Sequence, residues 1–459
     1  MVEQKQKTKN ISRLKHPFFK CILLCNVMAL MVIAGMQYHK IITIAAFLLA
    51  IVCIMFDNSY DFCYLVFLMF FGGVFKMNLT STSLFTVLLY IYIIKLLFIH
   101  LQKKVKFSSF NVFLYVLFIG FTIINVNIDS LRLVLVVYLG LLLLILFFNK
   151  YKNNIPQMNE DVVFIIISFS LGIVVSSFFA TVKEYIPSLN AYIINNSSSI
   201  KMENGFRIDR FAGLDANPNA YSLGVSIAII SLIILYDRKK IKISFAILVI
   251  PLLIFGFMTG SKSFIISLIV VIIIYIGIRL INDMKTGIKM ILLLSGIVIV
   301  FMLIINDDTK TMILQRFSSD DYSSSEFNLN SFTTGRYDLL KNYLEYIFSS
   351  WTVMLIGDGI GSIYGTHGAH NYLVEVIHQV GIIGAIIYFG AIFRYMYVKK
   401  PPGYVSESFL LSSLPLLIFI IRSFAINLIA RDTTYVYIIL VSIMCVTSLK
   451  SIHNIGDAN

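Results

Sequence analysis

Apolar residues in this chain come in long unbroken runs. They show neither the two-residue alternation of a half-buried strand nor the single stripe of a surface helix. The runs cover approximately 21–38, 41–56, 62–79, 83–100, 110–124, 131–148, 162–181, 219–236, 241–259, 263–281, 288–305, 371–393, 408–428 and 434–449. A bilayer crossing needs about 20 apolar residues, so these are fourteen candidate transmembrane helices. The second and fifth are short enough for a re-entrant path, which gives a range of twelve to fourteen. The expected fold is an all-α integral membrane protein, a single polytopic domain over 1–459, with no repeat of fixed period and no linker between domains.

The polar segments between the runs orient the chain. The N-terminal MVEQKQKTKNISRLKHPFFK is basic, and the apolar run after it lacks a small-residue cleavage site, so it reads as a retained cytoplasmic tail. With the N-terminus inside, inner segments carry 22 Lys and Arg, whereas the short outer loops carry one each: Lys40, Lys76, Arg132, Lys262 and Arg431. This bias places both termini in the cytoplasm. It also absorbs most of the net charge of +13, so no nucleic-acid partner is needed. With 58% apolar residues, 13% charged residues and a mean hydropathy of +0.86, a water-soluble globular protein is excluded. The five cysteines all lie in or beside apolar runs, so neither a disulfide framework nor a CxxC metal site is indicated.

Two outer segments are long, at 182–218 and 306–370, and function is expected there. In the second, SSDDYSSSEFNLNS (318–331) reads as mobile. Beyond it Leu339, Leu340, Tyr343, Leu344 and Ile347 recur at helical spacing ahead of the only tryptophan, Trp351, which predicts an amphipathic helix in the outer interface. The first segment ends in RIDRFAGLDANPNAYS, with Arg207 and Arg210 just before a turn containing Asn217. Arginine offers a fixed fork of donors suited to a phosphate or diphosphate, although an interfacial arginine also binds lipid headgroups. The second segment ends in GDGIGSIYGTHGAHNYLVEVIHQVGIIG. Its glycines lack the βαβ context of a nucleotide fingerprint. His367 and His370 precede Asn371 and Glu375; a histidine there can take a proton, orient a hydroxyl or cap a helix. No HExxH or DxD is present, so no metal is expected, and Asp307-Asp308 and Asp320-Asp321 read as solvated charges. Lys95 and Arg422 lie in apolar runs within about two turns of a run's end, which predicts that both snorkel to the surface. Lys262, in the turn TGSKS, falls on the same side as Arg207, Arg210, Arg316, Arg336 and the two histidines. The second segment is acidic overall, with eight Asp and Glu against four Lys and Arg. Its cations are therefore individual placements and not a general basic patch, which favours a lipid-linked anion.

In order, RFAGLDANPNAYS, TGSKS, TGRYDLLKNYL with GDGIGS, and HNYLVEVIHQVGIIG resemble the superfamily of O-antigen ligases and O-antigen or capsular polysaccharide polymerases, over about 210–384. The resemblance implies a GT-C type membrane glycosyltransferase of the bacterial cytoplasmic membrane that uses undecaprenyl-diphosphate-linked glycan, without cofactor, nucleotide or metal. Carried over by position, Arg210, Arg336 and His370 are the catalytic residues, with Asn371 beside them. The turn that commonly reads SRG is here Ser261-Lys262-Ser263, and a family glutamate appears as Gln379.

The function expected on this basis is polymerisation of lipid-linked oligosaccharide repeat units for a capsule, exopolysaccharide or O-antigen. Arg210 and Arg336 would stabilise the departing diphosphate and His370 would activate or orient the acceptor hydroxyl. Lys262, Arg207, Asn217, Asn371 and His367 would bind substrate. Partners would be the lipid-linked oligosaccharide, membrane lipids, and a flippase and chain-length regulator of the same pathway. The alternatives are an O-antigen ligase and, from a different class, a lipid-linked oligosaccharide flippase, for which midplane charges or interrupted helices lining a path are expected.

Overall fold

A computed structural model describes the backbone of residues 2–74, 83–125, 130–152, 154–197, 199–201, 207–215, 217–242, 247–304, 307, 310–311, 335–365, 368–396, 407–429 and 431–447. Among these the chain is helical apart from one short hairpin. Helices α1 (Val2–Gln37), α2 (Lys40–Phe56), α3 (Asp61–Leu68), α4 (Leu84–Gln102), α5 (Ser109–Thr122), α6 (Leu131–Lys150) and α7 (Ile155–Thr181) form the first half. A short helix α8 (Pro187–Asn196) and the antiparallel pair β1 (Ser199–Lys201) and β2 (Arg207–Asp209) follow. Then come α9 (Pro218–Asp237), α10 (Val249–Met258), α11 (Lys262–Asn282) and α12 (Met284–Ile304). The last group is α13 (Arg336–Ser349), α14 (Trp351–Ile356), α15 (Tyr372–Met396), α16 (Glu407–Ser412), α17 (Leu414–Ser423) and α18 (Asp432–Thr447).

Among the described residues, seven helices are long and apolar enough to cross a membrane: Pro17–Gln37, Leu84–Gln102, Leu131–Lys150, Pro156–Thr181, Pro218–Asp237, Lys262–Asn282 and Tyr372–Tyr395. Six shorter apolar helices among the described residues lie at Lys40–Phe56, Asp61–Phe71, Ser109–Asn125, Val249–Met258, Phe409–Ser423 and Asp432–Val446. The architecture is compatible with a multi-pass membrane protein. The stretch expected to be mobile, 318–331, lies outside the described residues, as do Arg316, Asp308, Asp320 and Asp321.

Helix α9 is the axis of the bundle. It packs against α7, α10, α11 and α17, and Leu223, Val225, Ile227, Ala228 and Leu232 on it are all fully buried. Small residues let the helices approach closely. At Gly172 of α7 a Cβ would meet the Phe67 backbone. Polar groups within the bundle bond across helices: the hydroxyls of Tyr372 and Tyr388 are 2.8 Å apart, and Tyr388 and Tyr435 are 3.1 Å apart.

The buried charges correct one expectation. Lys95 does not snorkel: it is 4% exposed, its Nζ lies 3.0 Å from Asp61 Oδ2 and donates to the Ile54 and Asp57 carbonyls at 2.6 and 3.0 Å. Lys150 reaches the same carboxylate at 3.1 Å. The carboxylate and two carbonyls satisfy the buried ammonium in place, so it need not reach the surface. Arg279 of α11 pairs with Asp237 at the end of α9, its Nε donating over 2.8 Å.

Candidate functional site

The site is built from four turns. In the first, Pro218 takes the first helical position of α9, where its missing N–H costs nothing. Asn217 caps the helix, its Oδ1 accepting from the Asn219 and Ala220 amides at 2.9 and 3.1 Å. The side chain of Asn219 is thereby aimed away from the helix. Its Oδ1 accepts from Arg210 Nη2 at 3.2 Å and from Ser261 Oγ at 3.0 Å.

The second turn, Thr259-Gly260-Ser261, joins α10 to α11 through Gly260 at φ 57, where glycine is free of the Cβ clash. Arg210 Nε donates to the Thr259 carbonyl at 2.9 Å, and the Phe211 amide to the Met258 carbonyl at 3.3 Å. Two motifs about fifty residues apart in sequence are thus clipped together by one guanidinium, which leaves Lys262 at the first position of α11.

The third turn starts α13, where Gly335 at φ 79 precedes Arg336. Arg336 Nη1 donates to the Ala425 carbonyl at 3.1 Å, just beyond the end of α17. The helix is amphipathic as expected: Tyr343 and Ile347 are each 1% exposed and pack with Val353, Ala369 and Val374, while Leu339, Leu340 and Leu344 flank them. Trp351, at the start of α14, is 77% exposed.

The fourth turn is His370-Asn371. His370 sits at φ 50, in the left-handed region, which costs a residue with a Cβ about 1 kcal/mol. Asn371, not His370, is the cap: its Oδ1 accepts from the Val374 amide at 3.2 Å.

These turns enclose a cleft of about 220 Å3. Asn219, Ser261, Lys262, Ser263, Arg336, Tyr337, His370 and Asn371 line it with polar groups, and Ile266, Leu340, Ala369, Phe424 and Ala425 with apolar ones. Among the described residues, the lining contains two cations, Lys262 and Arg336, and no carboxylate. Of the residues expected to act, Lys262, Arg336, His370 and Asn371 meet there. Arg210 lies one residue behind the wall, on Asn219, and the Asn217 side chain is occupied in capping. His367 and the Arg207 side chain lie outside the described residues, although the Arg207 backbone is in β2.

Two features were misread or missed. Arg422 does not snorkel; it is fully buried. Its Nη1 donates to Ser261 Oγ at 3.1 Å and to Ser263 Oγ, and its Nη2 to the Asn219 carbonyl at 2.6 Å and to Ser222 Oγ at 2.5 Å. An arginine inside an apolar run is itself the signal, since such residues normally face a partner within the protein. The second feature is the break in α15 at Gly381, at φ 68 and ψ 176. A break frees the carbonyls of the preceding turn, and the glycine-rich segment satisfies them. The Asp358 and Gly359 amides donate to the His378 and Gln379 carbonyls, both at 2.9 Å, and Gln379 Oε1 accepts from the Gly361 amide at 3.0 Å. The GDGIG glycines therefore serve this packing, and Gln379 is a strut for them. Alongside, Asp358 accepts from Tyr346 at 2.7 Å and stands 3.3 Å from His378 Nε2. The carboxylate holds the Tyr346 phenol above its ordinary range.

The sequence matches no protein-family model and no curated protein.

Proposed function

We propose that this chain is a membrane glycosyltransferase that polymerises oligosaccharide repeat units carried on a lipid diphosphate. The observation that carries the reading is the cleft itself. Lys262, Arg336, His370 and Asn371 come from three segments far apart in sequence, and they share one cavity with no carboxylate among the described residues of its lining. Fixed cations around a small cavity suit a diphosphate leaving group, whose charge grows as the glycosidic bond breaks. The apolar side, with Ile266, Leu340 and Phe424, suits the first isoprene units of a lipid carrier. In this reading Arg336 and Lys262 hold the diphosphate, Arg210 supports them through Asn219, and His370 takes the proton of the acceptor hydroxyl or orients it.

The reading includes up to fourteen crossings, the six shorter apolar helices and α12 among them. Both termini are cytoplasmic, the membrane is the bacterial cytoplasmic membrane, and the cleft opens on its outer face. The bias of 22 inner to five outer basic residues in the short loops supports this orientation. A ligase would need the same donor chemistry and differs in its acceptor. The break at Gly381 does not favour a flippase, because it packs against the Leu355 carbonyl and the Ile356 amide and lines no part of the cleft.

The test is the glycan of a deletion strain resolved by chain length. Single units with no long chains are expected; long chains stranded on the lipid carrier would mean a ligase, and units retained inside the cell would mean a flippase.

A further inference from the structure

Beneath the cleft lies a cation that the proposed chemistry does not use. Arg422 is fully buried, its four hydrogen-bond acceptors are all neutral oxygens, and its Nε has no partner among the described residues. Three of the residues it bonds, Asn219, Ser261 and Ser263, also line the cleft, so the guanidinium is one residue layer below the cavity. Two further arginines converge on the same few residues: Arg210 shares Asn219 with it, and Arg336 bonds the Ala425 carbonyl three residues further along. Burying a guanidinium without a counter-ion is costly, and folds that keep one generally pair it.

The hydrogen bonds also fix the polarity of the turn. A guanidinium has only donors, so both serine oxygens must accept from it. The Ser261 proton goes to Asn219 Oδ1. The Ser263 proton is left for Ser261 Oγ, 3.2 Å away, or for a ligand in the cleft.

We propose that Arg422 is a positioning residue that clamps the Ser261-Lys262-Ser263 turn onto the start of α9, and that its buried charge is balanced by the diphosphate anion the cleft takes up. The inference rests on the diphosphate reading above. It assigns the anion a counter-charge below the cavity floor and makes Ser263 a donor to it.

The test uses the full-length protein in nanodiscs and follows thermal unfolding as inorganic pyrophosphate is titrated. Wild type should be stabilised. Arg422→Gln keeps two donors but loses the charge, and should need about tenfold more pyrophosphate for half its effect, the order expected for one poorly screened charge. Arg422→Lys keeps the charge and loses the fork, and should fall between them. A purely structural Arg422 would lower the unfolding temperature and leave half-saturation unchanged, and that result overturns the proposal. If Arg422→Gln does not fold, Arg422→Lys decides: weaker half-saturation supports the proposal and an unchanged value overturns it. A wild type that ignores pyrophosphate refutes the diphosphate reading and this inference together. A wild type that responds to pyrophosphate yet makes no polymer refutes only the polymerase.

Discussion

Asn219→Ala removes the junction through which Arg210 reaches the cleft, and its cost follows from two bonds. The Asn219 Oδ1 acceptor takes a charged donor at 3.2 Å and a neutral one at 3.0 Å. Bonds of these kinds contribute about 1.5–3 and about 0.5–1.5 kcal/mol. Asn219 borders the cleft, so water replaces part of what is lost. Arg210 also keeps its bond to the Thr259 carbonyl at 2.9 Å. The net cost at the site is therefore about 1–2 kcal/mol, a factor of about 5–30 in turnover if it falls on the transition state. The assay is polymer formed per minute by purified protein from lipid-linked repeat units, with thermal unfolding run in parallel. Arg210→Ala and the double variant complete a cycle. If Arg210 acts through Asn219, the second substitution should cost little once the first is made. Fully additive losses would refute the argument that Arg210 supports the site from behind its wall.

His370→Ala should lower turnover about 10²–10⁴-fold at unchanged protein level, the usual range for a lost general base. His370→Gly should be equally inactive yet unfold no lower than wild type, since glycine relieves the left-handed strain at φ 50; a lower unfolding temperature would show that the imidazole holds the turn. Asp61→Ala strands Lys95 and Lys150 and should cost about 3–5 kcal/mol of stability, with Lys95→Met in the same chain recovering part of it. No recovery in denaturant or thermal unfolding would mean that the pair is not a unit. Single cysteines at Asn196 and Asn342 should react with an impermeant maleimide on intact cells and one at Asn282 should not; the five native cysteines are buried, which keeps the background low. The opposite labelling would invert the topology.

Hydropathy located the seven long apolar helices of the described residues, because a run of about twenty apolar residues with no turn signal favours a continuous helix. The amphipathic character of α13 was legible too, since Tyr343 and Ile347 recur at a spacing that buries one face. The break at Gly381 was not. QVGIIG continues an apolar run, and only the amides of Asp358 and Gly359, some twenty residues upstream, make the interruption stable. Lys95 and Arg422 were misread for a related reason: distance from a run's end is a property of the sequence, whereas their partners Asp61 and Ser261 are supplied by packing. The cleft residues Lys262, Arg336, His370 and Asn371 were legible as cations and donors on one side of the chain. Asn219 was not singled out, because nothing in NPN distinguishes the residue that caps from the one that bridges.

The claim on which the rest depends is that side-chain cations hold the diphosphate while His370 handles the proton. It is tested most directly by purified protein given lipid-diphosphate-linked repeat units in EDTA. The account predicts that long chains form, that Arg336→Ala lowers turnover more than donor binding, and that Arg336→Lys recovers only part of it. Chains that fail to form under chelation and return on adding a divalent ion would contradict it.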